Sequence, residues 1–187
     1  MTFMRRLLGD GDRGAAGKPP HEEAGGDVGE TATVRRIVAR LEALPPDEAR
    51  YLAGFSYILA RVAHADMDIS DAETKAIERL LVEFGGLDEP QAVLVTEMAK
   101  FQTRTVGATE DYLVTREFRE LATLEQRQAV LRAAFAVGAA DDSISAAESA
   151  AMSQIGSELA LDPAQVAGVR SEFHDKLSVV QAIRKLR

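Results

Sequence analysis

A stretch of fourteen residues occurs twice in this chain, and no other feature restricts the fold as much. Residues 60–73 and 135–148 align at a constant offset of 75 residues and share Val, Ala, Asp, Ile, Ser, Ala and Glu. An apolar segment of helical period precedes each copy, and another follows it. Similarity of this kind is the signature of a duplicated unit whose copies pack on each other. We therefore expect two pseudo-repeats of three helices each, over residues 51–92 and 126–167.

Apolar residues beyond position 30 recur at spacings of three and four, the period of an amphipathic α-helix. No segment shows the sustained alternation of apolar and polar residues that a half-buried strand needs. The sequence predicts an all-α fold, a compact bundle of about seven to eight helices built from the two pseudo-repeats. The apolar stripes begin at Ile37, Leu52, Ile77, Leu94, Val114, Leu124, Met152 and Val166. The last stripe continues through Val169, Phe173, Leu177 and Val180 and predicts one closing helix.

Five of the predicted helices are preceded by a residue pair typical of the capping box. In that motif the first side chain accepts a hydrogen bond from the amide three residues on, and a Glu or Gln there reaches back. An N-cap of this kind stabilises a helix by about 1 kcal/mol. The pairs are Ser70 with Glu73, Asp88 with Gln91, Thr123 with Gln126, Ser145 with Glu148, and Asp162 with Gln165.

The first thirty residues differ in composition from the rest of the chain. Seven of the fourteen glycines lie between Gly9 and Gly29, among scattered charges and two prolines. Such a segment buries too little apolar surface to offset its ordering entropy. We predict a flexible arm over residues 1–30 and one helical domain over residues 31–187. Residues 1–8 are apolar with two arginines, which makes them a candidate contact with a partner or a membrane surface.

Composition and missing motifs exclude several classes of function. The net charge of −8 and the pI near 5.0 argue against binding to nucleic acid, which needs clustered Lys and Arg. The sequence has no cysteine, no glycine-rich phosphate loop and no nucleophile elbow. No stretch approaches the ~20 apolar residues of a transmembrane helix. These observations favour a cytoplasmic protein that is not an enzyme.

The repeated segment carries the candidate site residues in two acidic turns. The first acidic turn (residues 66–73) and the second acidic turn (residues 141–148) each combine a helix end with the start of the next helix. In one interpretation, the acidic residues only cap helices and complement the helix dipole. In the other, their carboxylates bind a hard divalent cation, Ca²⁺ or Mg²⁺, in a loop shorter than an EF-hand. The candidate ligands are Asp66, Asp68, Glu73, Asp141, Asp142 and Glu148.

The pattern Ala-Asp-x-x-Ile-x-x-x-Glu in both turns resembles that of the TerB tellurite-resistance family, over roughly residues 31 to 184. Its domain also forms the N-terminal part of DjlA-type co-chaperones. The resemblance implies a bundle of about seven helices, a role in the response to tellurite and other stresses, and acidic residues suspected of binding metal. This sequence departs from the family at its glycine, which is Met67 in the first turn and Asp142 in the second. A left-handed backbone there is costly for Met and tolerable for Asp.

Two functions therefore follow as expectations. The first is a non-enzymatic, TerB-like stress protein that binds protein partners, and a divalent cation through its acidic turns. The alternative is a protein interaction module related to the DjlA N-terminal domain, in which the turns serve only as caps and the arm supplies recruitment.

Overall fold

The computed structural model describes residues 27–62, 71–102, 111–140 and 142–185. Every regular element in these ranges is helical, which confirms the predicted all-α class. No helix in the described ranges is long and apolar enough to cross a membrane. The α-helices are α1 (Asp27–Glu42), α2 (Pro46–Val62), α3 (Asp71–Gly85), α4 (Glu89–Gln102), α5 (Asp111–Leu121), α6 (Leu124–Gly138), α7 (Ala146–Glu158), α8 (Pro163–Glu172) and α9 (Ser178–Lys185), with a 3₁₀ turn (His174–Lys176) between α8 and α9.

The chain divides into two units between Arg50 and Tyr51. In the first unit, α1 begins at Asp27, inside the range 1–30 that the sequence assigns to a flexible arm; residues 1–26 lie outside the described part. The α1 side chains of Ile37 and Leu41 are buried, as their helical spacing predicts. Helix α1 ends before Pro45, since proline cannot continue a helix, and α2 begins at Pro46, because proline is favoured in the first turn.

Apart from the first residues of α2, the helices of the two predicted three-helix modules lie in the second unit. The first module is α2, α3 and α4, and the second is α6, α7 and α8, with α5 between them. Helix α3 packs on α4 within the first module, and α6 packs on α7 and α8 within the second. The two modules meet where α3 packs on α6, and the intervening helix α5 packs on α7 of the second module. Each copy of the duplicated sequence therefore lies in a run of three successive helices.

The core of the second unit is apolar and rich in aromatic contacts. Phe173, just after α8, stacks on Phe135 of α6 with 5.8 Å between ring centroids and touches Phe84 of α3 at 5.6 Å. Tyr51 of α2 stacks on Phe118 of α5 at 5.3 Å. Burial among these rings raises the pKa of Tyr51 to about 12. The contacts of Phe173 with Phe84 and Phe135 thus join helices of both modules.

Four of the five predicted capping boxes are present with both of their hydrogen bonds. They precede α4, α6, α7 and α8. In the box at α4, the amide of Gln91 donates to Asp88 Oδ1 at 2.8 Å, and the amide of Asp88 donates to Gln91 Oε1 at 3.0 Å. Pro163 occupies the first turn of α8, a position that proline favours. The fifth pair, Ser70 with Glu73, lies outside the residues whose side chains are described.

The prediction of one closing helix from Val166 to Val180 is wrong. Helix α8 ends at Glu172, and the backbone of Leu177 is extended, with φ −67° and ψ 122°, before α9 begins. Leu177 forms a parallel β-bridge with Ile144 of the second acidic turn. The apolar spacing did not reveal this break, because Phe173 and Leu177 are buried in the observed arrangement just as they would be in a continuous helix.

Candidate functional site

The structure describes only part of the predicted site. Asp142 and Glu148 of the second acidic turn are described in full, and both are exposed. Glu73 lies in α3, but its side chain is outside the described part. The predictions for Asp66, Asp68 and Asp141 also fall outside the described residues. The described geometry of the site is therefore that of the second acidic turn.

The second acidic turn begins where α6 ends. The amide of Ala139 donates to the carbonyl of Phe135 at 2.9 Å, and the amide of Asp142 donates to the carbonyl of Ala139 at 2.9 Å. Asp142 has a φ of +64°, in the left-handed region. The sequence comparison placed the glycine of the TerB pattern at this position, and Asp is among the residues that tolerate this conformation. The expected left-handed backbone at Asp142 is therefore present.

Ile144 anchors the turn to the core. Its side chain is 1% exposed, so it packs inward between the exposed residues of the turn. Its amide donates to the carbonyl of Lys176 at 2.8 Å, and its carbonyl accepts from the amide of Ser178 at 2.9 Å. These bonds satisfy the backbone groups of a buried residue that no helix includes. The 176–178 segment thus holds the turn in place.

Glu148 is engaged in the capping box of α7. Its Oε2 accepts a hydrogen bond from the amide of Ser145 at 2.8 Å, while its own amide donates to Ser145 Oγ at 3.1 Å. The carboxylate also lies in the first turn of α7, where a negative charge is favourable. The capping interpretation of Glu148 is confirmed by this geometry.

Asp142 is paired with a residue that the sequence analysis missed. Its carboxylate accepts a hydrogen bond from the ammonium of Lys176, and its backbone carbonyl accepts from Gln181 Nε2 at 2.8 Å. The hydrogen bond and charge of Lys176 lower the pKa of Asp142. No local pattern signals this pairing, because Lys176 follows Asp142 by 34 residues and reaches it only through the break before α9.

The described residues alone do not make a cation site. No group of three or more His, Asp or Glu side chains in the described ranges is close enough to hold a metal ion. Of the two described carboxylates in the second turn, Glu148 caps α7 and Asp142 faces Lys176. A divalent cation normally takes several oxygen ligands. The predicted cation site therefore depends on Asp66, Asp68, Glu73 and Asp141, which the structure leaves untested.

A second polar cluster lies between the modules, and the sequence analysis did not single it out. Arg61 of α2 forms a two-point ion pair with Glu158 of α7, and Arg61 Nη1 also donates to Thr115 Oγ1 of α5 at 2.9 Å. Gln154 Nε2 donates to the same carboxylate at 3.1 Å. Desolvation raises the pKa of Glu158, but the hydrogen bond and charge of Arg61 outweigh it, so this pKa lies below its ordinary value.

The burial of the Arg61–Glu158 cluster is typical of a structural ion pair. Arg61 and Glu158 are 13% and 14% exposed, so the pair is largely removed from water. Arg61 and Glu158 are 97 positions apart in the sequence. The apolar spacing of the helices that carry them gives no sign that they form an ion pair. The network joins α2, α5 and α7, which fixes the contact between the two modules.

Comparison with known proteins gives one match. The family model described as "Tellurite resistance protein TerB" matches residues 54–171, well over half of the chain and both of its modules. No curated protein and no solved structure matches the chain.

Proposed function

The chain belongs to the TerB family of tellurite resistance proteins, and on that basis we propose that it is a non-enzymatic stress-response protein that acts by binding a protein partner in the cytoplasm. The observation that carries the proposal is that the described carboxylates of the second acidic turn already have partners within the molecule. Its two described carboxylates, the groups best suited to chemistry, are used to cap α7 and to hold Lys176. Groups committed in this way stabilise a surface rather than act on a substrate.

The structure of the turn supports a role in presenting that surface. The buried side chain of Ile144 and its backbone hydrogen bonds to the 176–178 segment fix the turn. Asp142 and Ser143 lie exposed. A rigid, exposed turn offers a partner a preformed contact and lowers the entropy lost on binding. We place the binding surface at the second acidic turn.

A complementation experiment separates this function from catalysis or cation binding. Gln is accepted at the third position of a capping box, so Glu148→Gln keeps the cap and removes the charge. Asp142→Asn keeps a residue that tolerates the left-handed backbone. In a strain that lacks the gene, both variants should restore growth in tellurite as the wild-type gene does. Failure of correctly folded variants would contradict the proposal.

The second candidate function is binding of a divalent cation by the acidic turns. It is favoured by the exposed Asp142 carboxylate, 86% exposed, at the position of the family's glycine and next to Asp141 in sequence. Calorimetric titration with Ca²⁺, Mg²⁺, Mn²⁺ and Zn²⁺ tests it directly. Binding by the wild-type protein that Asp66→Asn or Asp141→Asn removes would establish it, and the absence of heat in all titrations would eliminate it.

A further inference from the structure

The segment that follows α8 folds back on the second acidic turn, and we call residues 174–185 the strap. The amide of Ile144 donates to the carbonyl of Lys176 at 2.8 Å, and the amide of Ser178 donates to the carbonyl of Ile144 at 2.9 Å. These two bonds flank the extended residue Leu177, which forms the parallel β-bridge with Ile144. The strap therefore pairs with the turn as an added β-strand does, through main-chain hydrogen bonds.

Two side chains of the strap add to this pairing. The apolar side chain of Leu177 is 7% exposed, so it is buried at the bridge. The ammonium of Lys176 binds the carboxylate of Asp142, which is the position of the family's glycine. When an extended segment is added to an edge, main-chain bonds give affinity and side chains give specificity. The strap thus shows which chemistry fits the turn: an extended segment in which a cation is followed directly by a leucine.

The first module shows that the helix break before the strap is not a property of both repeats. Helices α4 and α8 are the third helices of their modules, and both follow an Asp–Gln capping box. Helix α4 has 14 residues and ends at Gln102, whereas α8 has 10 residues and ends at Glu172. Residues 173–176 would bring α8 to the same length, but they lead into the strap instead. The break thus distinguishes the second module, and its structural result is the contact with the turn.

The outer part of the strap, helix α9, is held by exposed polar contacts. Helix α9 has no buried residue, and its side chains of Val179 and Ile183 are more than half exposed. Gln181 Nε2 donates to a main-chain carbonyl of the turn at 2.8 Å, and Arg184 pairs with Asp175 in the open. Contacts of this kind contribute little free energy, and segments that depend on them open locally. The strap can therefore leave the turn while the rest of the second unit stays folded.

We propose that the strap is an internal competitor for the partner of the second acidic turn, and that this partner is a protein segment of the same chemistry. The segment is extended and carries Lys or Arg followed directly by a leucine-sized apolar residue. It pairs its backbone with Ile144, its apolar side chain takes the place of Leu177, and its cation meets Asp142. This inference rests on the proposed partner binding at the turn and names the partner's class. The same backbone bonds hold the turn in both states.

Competition with the strap determines the apparent affinity for the partner. Burial of Leu177 opposes opening, so the open form is a minor population, on the order of 1%. The apparent dissociation constant is then about 100-fold weaker than the intrinsic one. A substitution that weakens the strap should therefore strengthen partner binding. Asp142→Asn weakens strap and partner alike, so it should leave the apparent affinity nearly unchanged.

Binding of a synthetic peptide tests the proposal. The probe has the sequence of residues 173–179, Phe-His-Asp-Lys-Leu-Ser-Val, and its binding is measured by fluorescence anisotropy. Ser178→Pro removes the amide that donates to Ile144, yet it suits the first residue of α9, and the preceding residue is already extended. This variant should bind the peptide about tenfold more tightly than the wild type does.

A second variant and its control test the cation. Lys176→Ala removes the strap's contact with Asp142 and should bind the peptide about threefold more tightly than the wild type, since the pair is exposed. The matched control is Lys185→Ala, which removes an exposed cation at the far end of the strap and should leave binding unchanged. Peptides with aspartate in place of leucine, or glutamate in place of lysine, should bind at least tenfold more weakly.

Hydrogen exchange detects the opening itself. In the wild type, the amide of Ser178 should exchange faster than that of Leu131, which lies in the buried part of α6, because the strap opens without global unfolding. Circular dichroism shows whether each variant is folded. Equal exchange of the two amides would overturn the proposal.

Three binding results would also overturn it. They are a folded Ser178→Pro or Lys176→Ala variant that binds no more tightly than the wild type, altered peptides that bind as well as the original, and a wild-type dimer that the peptide dissociates. The dimer would make the strap of a second copy the occupant. None of these results bears on the complementation experiment, because a partner can contact the exposed Asp142 and Ser143 without displacing the strap. Failure of this inference is therefore distinguishable from failure of the proposed function.

Discussion

The guanidinium of Arg61 and the carboxylate of Glu158 form a two-point ion pair between the modules, with Nη1 to Oε2 at 2.7 Å and Nη2 to Oε1 at 3.3 Å. Both side chains are largely buried. Arg61 also donates a hydrogen bond to Thr115 Oγ1, and Glu158 accepts one from Gln154 Nε2. A paired buried charge contributes little net stability, whereas an unpaired one is costly. The pair therefore specifies how the two modules meet more than it adds to the free energy of folding.

Removal of one partner of this pair should destabilise the protein markedly. We expect Glu158→Ala to lower the free energy of unfolding by about 2 to 4 kcal/mol, because the largely buried guanidinium of Arg61 loses the carboxylate that pairs with it. Replacement of both residues by Met should recover most of that loss. Glu172→Ala is the matched control: its partner Arg132 is 31% exposed, so its loss should cost less than about 1 kcal/mol. Equal losses at the two sites in denaturant unfolding would contradict this account.

The same pair should make stability depend on pH. The pKa of Glu158 lies below its ordinary value of 4.5, so the unfolded chain binds more protons than the native state as the pH falls. The stabilisation is complete above that ordinary value and is lost as the pH falls through the folded pKa. Between about pH 5 and pH 3, the free energy of unfolding of the wild type should fall more steeply than that of Glu158→Gln. Parallel curves for the two proteins would show that the ion pair is not responsible.

Gly54 allows α2 and α5 to approach closely. A Cβ atom at this position would lie 2.7 Å from Cδ2 of Phe118, a fully buried ring. Gly54→Ala should therefore destabilise the protein by about 1 to 3 kcal/mol. Gly168→Ala in α8 is the control, because a Cβ there meets nothing within 4 Å and should stabilise the helix by about 0.5 to 1 kcal/mol. Thermal unfolding that places both variants on the same side of the wild type would refute this explanation.

Ala160 ends α7 in a conformation that suits glycine. Its φ is +53°, and the amide of the next residue, Leu161, donates to the carbonyl of Gly156 at 3.0 Å, as in a Schellman motif. Ala160→Gly should stabilise the protein by about 1 kcal/mol by removing the strain of a Cβ atom. The reverse substitution at Gly86, whose φ is +66°, should destabilise it by a similar amount. Urea midpoints that move in the opposite directions would contradict the assignment.

The local signals in the sequence predicted local structure well. Four of the capping boxes and the left-handed backbone of Asp142 each depend on residues within a few positions, and each is present. The duplicated pattern predicted two modules of three helices, and each repeat lies in a run of three described helices. The family assignment, drawn from the same turns, is confirmed.

The interactions that the sequence could not predict join residues far apart in the chain. Lys176 reaches Asp142 only because the helix breaks at Leu177, and apolar spacing is the same with or without that break. Arg61 and Glu158 lie in separate helices whose faces meet only in the packed bundle. A single sequence carries no signal for such pairs, since neither partner has a local role that requires the other.

The most direct test of the account compares the free energy of unfolding of the wild type, Glu148→Gln and Glu148→Ala, with and without Ca²⁺ or Mg²⁺. If the second acidic turn is structural, Glu148→Gln should stay within about 0.5 kcal/mol of the wild type and Glu148→Ala should lose about 1 kcal/mol. The cations should change none of the three values. Cation-dependent stabilisation of the wild type that both variants lose would contradict the account and establish Glu148 as a ligand.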